Sequence, residues 1–299
     1  MKNPNPRLKL GFSSTFKNCE LFFTDILSRR YDVIRDDVAP DYLIFGDSNF
    51  GNDHLKYDHK NVSKIFFTGE NVRPNYFTYN HAITFDFENS PKHYRLPLYA
   101  LEMWAIVKDN KFTEDYYYLR GLHKTIDWEK AWILKSGRYD MTYVQSNSNA
   151  EPRKSYVDSY SKLFNVGCGG PHMNNIGHVI PRDRLLKFDF LRKYKMNIAF
   201  ENSFHPDSGY VTEKLLDAFY SCTLPIYLGP LKVFRDFNTK SFLRQLPGPV
   251  KYEEIKHYLT SKILWCEMMS QPRFNYDIPN EYCQLDNFLD WFGENVYHG

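Results

Sequence analysis

Two hydrophobic periods alternate along this 299-residue chain. Short runs of Ile, Val, Phe and Tyr with few polar breaks predict buried strands, and longer stretches with apolar residues three and four apart predict amphipathic helices. "LKLGF" (8–12) reads as a strand, and "CELFFTDILSRR" (19–30) as a helix with Leu21, Phe22, Ile26 and Leu27 on one side. "DYLIFGD" (41–47), "SKIFFTGE" (63–70) and "HAITFDF" (81–87) are further strands. "PLYALEMWAIV" (97–107) is helical, with Pro97 at a first turn where its missing N–H is no loss. "WEKAWILKSG" (128–137) predicts a helix closed by Gly137.

A second series follows. "DMTYVQSN" (140–147) is a strand, "EPRKSYVDSYSKLF" (151–164) a helix, and "NVGCGG" (165–170) a strand end with a glycine turn. "RDRLLKFDFLRKY" (182–194) is helical and "KMNIAFENS" (195–203) a strand. A helix from about Thr212 to Cys222 then leads into the strand "LPIYLGP", and "KSFLRQL" (240–246) fits an edge strand. Helices over 252–270 and 283–296 end the chain. Strand–helix alternation that occurs twice implies two α/β units, each a parallel sheet covered on both faces. The expected division is 1–137, 138–275 and a C-terminal helical piece, 276–299.

Composition narrows the class. Apolar residues at 42% make a globular chain rather than a disordered one. A net charge of +2, with no basic stripe, argues against a nucleic-acid partner. Cys19, Cys168, Cys222, Cys266 and Cys283 are odd in number and irregularly spaced, which favours reduced thiols over a disulfide frame or zinc site. No apolar run reaches the ~18 residues of a membrane span, and "MKNPNPRLKLGF" lacks a signal-peptide core. A cytoplasmic location is expected, with peripheral contact to the inner membrane left open.

The candidate chemistry begins at "GYVTEKLLDAFYSCTLPIYLGP" (209–230). With Thr212 as N-cap, Glu213 and Lys214 occupy a first helical turn, where free N–H groups and an ammonium suit an anion. Lys214 fits phosphate and Glu213 fits the vicinal hydroxyls of a ribose, so together they suit a nucleoside diphosphate. Glutamate in a first turn also serves simply to complement the helix dipole. In "FENSFHPDSGY", a buried strand ends in Glu-Asn, which demands partners. Asn202 either bonds a ligand or braces the loop, and Tyr210 would lie over the helix mouth. In "FFTGENVRPN", Glu70 stands at the carboxyl end of a strand, as a general base or as a solvated capping group. Arg73 beside it either serves the site or pairs with Glu70. Arg153 sits near a helix start, against the dipole, and makes sense there if an anion arrives. "GCGG" matches no phosphate-loop pattern.

With "GENVRPN", "HYRLPLYA", "SNSNAEPR" and "FENSFHPDSGYVTEKLLDAFYSCTLPIYLGP" in this order, the chain resembles the α-1,3-fucosyltransferases, above all the bacterial enzymes that build Lewis-type antigens. The resemblance runs from about Ser63 to Phe242. It implies a GT-B fold: two Rossmann-like, doubly wound parallel-sheet domains facing across a cleft, 1–137 on the acceptor side and 138–275 binding GDP-fucose. The 276–299 helix would pack back on the first domain. The implied reaction is inverting transfer of L-fucose from GDP-β-L-fucose to O3 of GlcNAc in a Galβ1,4GlcNAc-type acceptor. Alternatives are 1,4 transfer onto Galβ1,3GlcNAc, transfer onto glucose, or another nucleotide sugar. Glu70 corresponds to the base, and Arg153, Asn202, Tyr210, Glu213 and Lys214 to donor-binding positions, with Asn71 and Arg73 on the acceptor side. No metal ligand and no obligatory cofactor are implied, and a divalent cation (Mn2+ or Mg2+) enters only as a stimulant. The partners are GDP-fucose and an oligosaccharide acceptor, with no integral membrane segment and the oligomeric state left open.

Overall fold

The structure, a computed structural model, describes residues 5–58, 61–108, 126–135, 137–148, 151–203, 205–275 and 285–299. It divides into two units. The first comprises Met1–Asp109, Ser208–Tyr210 and Pro279–Gly299; the second comprises Asn110–Asp207 and Val211–Ile278.

The first unit is built from β1 (Arg7–Ser13), α1 (Lys17–Leu27), β2 (Asp32–Arg35), β3 (Tyr42–Phe45), β4 (Ser63–Phe67), β5 (His81–Thr84), β6 (His93–Arg95) and α2 (Leu98–Lys108). Its sheet runs β2-β1-β3-β4-β5-β6, with every pairing parallel. The inner strands β3, β4 and β5 are buried almost throughout, which is why they appear in sequence as unbroken apolar runs. The strands the pattern misses are β2, a largely exposed edge, and β6, which buries the polar residues His93 and Arg95.

Helix α1 corrects one expected face. Cys19, Phe22, Phe23, Ile26 and Leu27 are buried, spaced as one stripe of a 3.6-residue helix, while Leu21 is 48% exposed. Each such fully buried large side chain contributes about 1.5–3 kcal/mol relative to exposure.

The second unit holds α3 (Trp128–Leu134), β7 (Met141–Tyr143), α4 (Glu151–Ser161), β8 (Val166–Cys168), α5 (Arg184–Leu191), β9 (Met196–Phe200), α6 (Lys214–Tyr220), β10 (Leu224–Leu228), β11 (Leu243–Arg244), α7 (Tyr252–Thr260) and α8 (Lys262–Ser270). Its parallel sheet runs β11-β10-β9-β7-β8, so β11 is the expected edge strand. Trp265, Met269, Tyr160 and Val157 cover one face. Two helix expectations fail here. The single helix over 252–270 is two, because Ser261 is extended and its hydroxyl accepts from the Leu264 N–H to start α8. Gly137 does not close α3, which ends at Leu134; a Cβ at Gly137 would stand 2.2 Å from the Tyr194 ring.

Helix α9 (Leu285–Asn295) belongs to the first unit, where Phe288 meets Phe23 and Phe292 meets Tyr31 at 5.7 and 5.6 Å between ring centres. The remainder of 276–299 up to residue 284, Cys283 included, lies outside the described residues. Cys19, Cys168, Cys222 and Cys266 are free thiols. Among the described residues no helix is long and apolar enough to cross a membrane, and no group of three His, Cys, Asp or Glu is placed to hold a metal ion.

Candidate active site

In the first unit, β4 runs into Thr68, Gly69 and Glu70. The Thr68 hydroxyl donates to the buried carboxylate of Asp47 at 2.7 Å and accepts the Glu70 N–H at 3.0 Å, which pins the backbone at Glu70. The Glu70 carboxylate is half-buried, and its Oε2 accepts from the Tyr210 hydroxyl at 3.3 Å. Tyr210 is itself buried, its ring edge-on to Phe85 at 5.1 Å.

The short segment carrying Tyr210 is held by residues that the sequence reading missed. Arg95, buried on β6, donates to the carbonyls of Phe85 at 2.8 Å and Gly209 at 3.4 Å. Asp86 accepts the Gly209 N–H at 3.4 Å and pairs with Arg73. Arg73 therefore does not pair with Glu70; it joins Asp86, lies 4.8 Å over the Phe85 ring, and donates to Asn71 Oδ1 at 2.6 Å. A signal existed in the polar residues of "FDF" and "HYR" beside apolar strand positions, since buried charge implies a partner.

Gly209 fits because it has no side chain: a Cβ there would stand 2.0 Å from the Phe85 carbonyl oxygen. Gly209→Ala is expected to destabilise the fold by at least the 1–3 kcal/mol typical of overpacking and to displace Tyr210 from Glu70. A melting temperature equal to that of the unaltered protein would contradict this.

In the second unit, β9 ends at Phe200 and Glu201 follows it. The Glu201 side chain is fully buried, and its carboxylate accepts from the Thr212 N–H (2.8 Å), the Thr212 hydroxyl (2.6 Å) and the Tyr227 hydroxyl (3.3 Å). Lys214 completes this set: its Nζ lies 3.2 Å from Glu201, 3.2 Å from Glu213 and 2.7 Å from the Thr212 hydroxyl. Thr212 is thus not the N-cap. It is spent on Glu201, and Glu213 stands in the capping position with helical dihedrals and no side-chain cap. Burial disfavours charge on Glu213, yet Lys214 and Lys187 outweigh it and draw the carboxyl down to about 2. Burial likewise opposes charge on Lys214, and Glu213 and Glu201 prevail, raising the ammonium above its usual value.

Arg153 on α4 is the unusual member. It is 3% exposed, with Nη1 reaching the Phe200 carbonyl at 3.5 Å. Its Nε and Nη2 are buried with no hydrogen-bond partner among the described residues. A buried donor left unmade costs about 1–3 kcal/mol, more when charged. Nearby, burial pushes the Tyr143 hydroxyl up to about 12 against the opposing pull of Arg153 and Lys214. Asn202 is half-buried, and its side chain makes no hydrogen bond among the described residues. The glycines of "GCGG" serve packing: a Cβ on Gly170 would stand 2.2 Å from the Gln145 carbonyl oxygen.

The structure therefore groups Glu70 with Tyr210, and Asn71 with Arg73, in the first unit; it groups Glu213 with Lys214 in the second, adding Glu201 and Thr212. Comparison with known proteins decides the family. Residues 9–102 match the alpha-(1,3)-fucosyltransferase FucT N-terminal domain, and residues 135–246 match glycosyltransferase family 10 (fucosyltransferase) C-term. The chain belongs to the family 10 α-1,3-fucosyltransferases.

Alpha-(1,3)-fucosyltransferase FucT of Helicobacter pylori is 30% identical over 286 residues, 87% of this chain and 57% of that protein. A bovine relative, 3-galactosyl-N-acetylglucosaminide 4-alpha-L-fucosyltransferase FUT3, is 26% identical over 54% of this chain and 35% of its own length. The chain thus spans about half the length of the curated relatives it matches, or less. A solved α1,3-fucosyltransferase with GDP-fucose superposes at a TM-score of 0.72 with 27% identity, covering 100% of this chain and 94% of that one. The family 10 chain therefore has the GT-B class of fold, built from the two parallel-sheet units described above.

Proposed function

We propose that this chain transfers L-fucose from GDP-β-L-fucose, with inversion, to O3 of GlcNAc in a Galβ1,4GlcNAc-type acceptor. The observation that carries the donor half is Arg153: a buried cation with two unanswered donors beside the Lys214 cluster is suited to a diphosphate. The acceptor hydroxyl must lose its proton as the new bond forms, and Glu70, fixed at a strand end with one oxygen on Tyr210, is the group for that task. Departing GDP gathers negative charge, which Arg153 and Lys214 stabilise. Asn202, with no competing bond among the described residues, and Glu213, one oxygen of which is on Lys214, would meet polar groups of the donor.

Tyr210 serves this reading by orienting Glu70. Tyr210→Phe should lower kcat by about tenfold, the scale of one hydrogen bond to a charged group. An unchanged kcat would remove that role.

The test of the function is incubation with GDP-fucose and the two isomeric acceptors, Galβ1,4GlcNAc and Galβ1,3GlcNAc, followed by linkage analysis. An α-1,3 product on the first supports the reading. Fucose at O4 of the second, the activity for which the bovine relative is named, would reassign the acceptor. Turnover with other GDP or UDP sugars in place of GDP-fucose would overturn the donor assignment.

A further inference from the structure

Behind the Lys214 cluster lies an ion pair that the proposed reaction does not use. Asp217, buried on α6, follows Glu213 by one helical turn and donates its N–H to the Glu213 carbonyl at 2.8 Å. Its carboxylate meets Nζ of Lys187, on α5, at 2.5 Å. Beside the pair is a cavity of about 20 Å³, the room one bridging water needs, lined in part by Lys187, Asp217, Lys214, Asn197 and Tyr143. The cluster gathers three carboxylates, Glu201, Glu213 and Asp217, and three cations, Lys187, Lys214 and Arg153. Arg184, also on α5, acts on Asp217 as well. Without Lys187, Asp217 loses the ion-pair partner it has among the described residues, and its carboxylate then opposes an arriving diphosphate.

We propose that Lys187 is a positioning residue for the donor diphosphate: by neutralising Asp217 from behind α6, it keeps Lys214 and Arg153 receptive to an anion. This inference rests on the reading that the second unit takes GDP-fucose. Asp217 faces Lys187 and Arg184 from α5 and Glu213 and Lys214 near the start of α6, while Tyr143 on β7 and Asn197 on β9 share the cavity. Burial raises the Asp217 carboxyl above its usual range, with Lys187 pulling the other way. Losing Lys187 therefore raises it further, so the repulsion is greatest at high pH and fades as Asp217 takes up a proton.

The experiment is calorimetric titration of GDP into the full chain at a series of pH values from mildly acid to mildly alkaline. Lys187→Met, Lys187→Arg and Asp217→Asn are compared with the unaltered protein, with a melting temperature recorded for each. Lys187→Met should bind GDP about tenfold more weakly at the alkaline end, the scale of one unit charge acting over roughly 10 Å in a partly buried site. It should approach the unaltered protein at the acid end. Lys187→Arg should match the unaltered protein throughout, and Asp217→Asn, which leaves a cation in excess, should bind GDP at least as tightly.

A folded Lys187→Met variant with unaltered affinity at every pH overturns the proposal. So does equal weakening at all pH values that Lys187→Arg fails to rescue. Weakened binding by Asp217→Asn overturns it even if Lys187→Met does not fold. Failure of the unaltered protein to bind GDP defeats the underlying donor reading instead, and is distinguished in that way.

Discussion

Glu70→Gln should reduce kcat by about 10²–10⁴-fold, the usual contribution of a positioned general base, while GDP affinity stays within about twofold. The substitution keeps the shape of the side chain and an oxygen able to accept from Tyr210, so the loop geometry survives. Thr68 bonds the backbone N–H of residue 70 rather than its side chain, so that anchor survives as well. What is lost is the capacity to take a proton from the acceptor hydroxyl. The measurement is steady-state transfer beside a GDP titration on the same preparation. Retained turnover would mean that another group receives the proton; a large loss of GDP affinity would move Glu70 to the donor.

Arg153→Met and Lys214→Met should both cut turnover by about 10²–10³-fold, as removal of one preorganised donor to a developing anion does. They should differ in stability. Removing Arg153 deletes a buried guanidinium that has two orphaned donors, so its melting temperature should hold or rise. Removing Lys214 leaves the fully buried carboxylate of Glu201 without its cation, and breaking a buried pair costs about 3–5 kcal/mol. Equal melting temperatures for the two variants would show that Lys214 is not the counter-charge of Glu201. Turnover unaffected by Arg153→Met would end the diphosphate role of that residue.

The contrast between these two cations was not legible in the sequence. "TEK" places Thr212, Glu213 and Lys214 together, and that adjacency supports either a capped helix or an anion site. What separates the readings is Glu201, which binds Thr212 from eleven positions away and Tyr227 from twenty-six. Its signal was present, since a carboxylate ending a buried strand must find partners, but partners at such separations cannot be read from local pattern. The same holds for Arg95, whose bond to Gly209 spans 114 positions and returns the chain to the first unit for three residues.

The central strands were legible because burial on both faces of a parallel sheet leaves continuous apolar runs, as at β9 and β10. Edge strand β2 was not, because its residues are largely exposed. Nor was the break at Ser261, where one residue interrupts an otherwise helical composition by capping the helix that follows. Arg153 was legible as an anomaly, a cation against a helix dipole, although its burial and unanswered donors required coordinates.

The most direct test is to titrate GDP into the unaltered protein and into Arg153→Met by calorimetry at matched salt. The account predicts saturable one-site binding to the unaltered protein, and at least a hundredfold weaker binding to a variant that melts no lower, in keeping with loss of a charge-assisted bidentate contact. Equal affinities in the two proteins would contradict it.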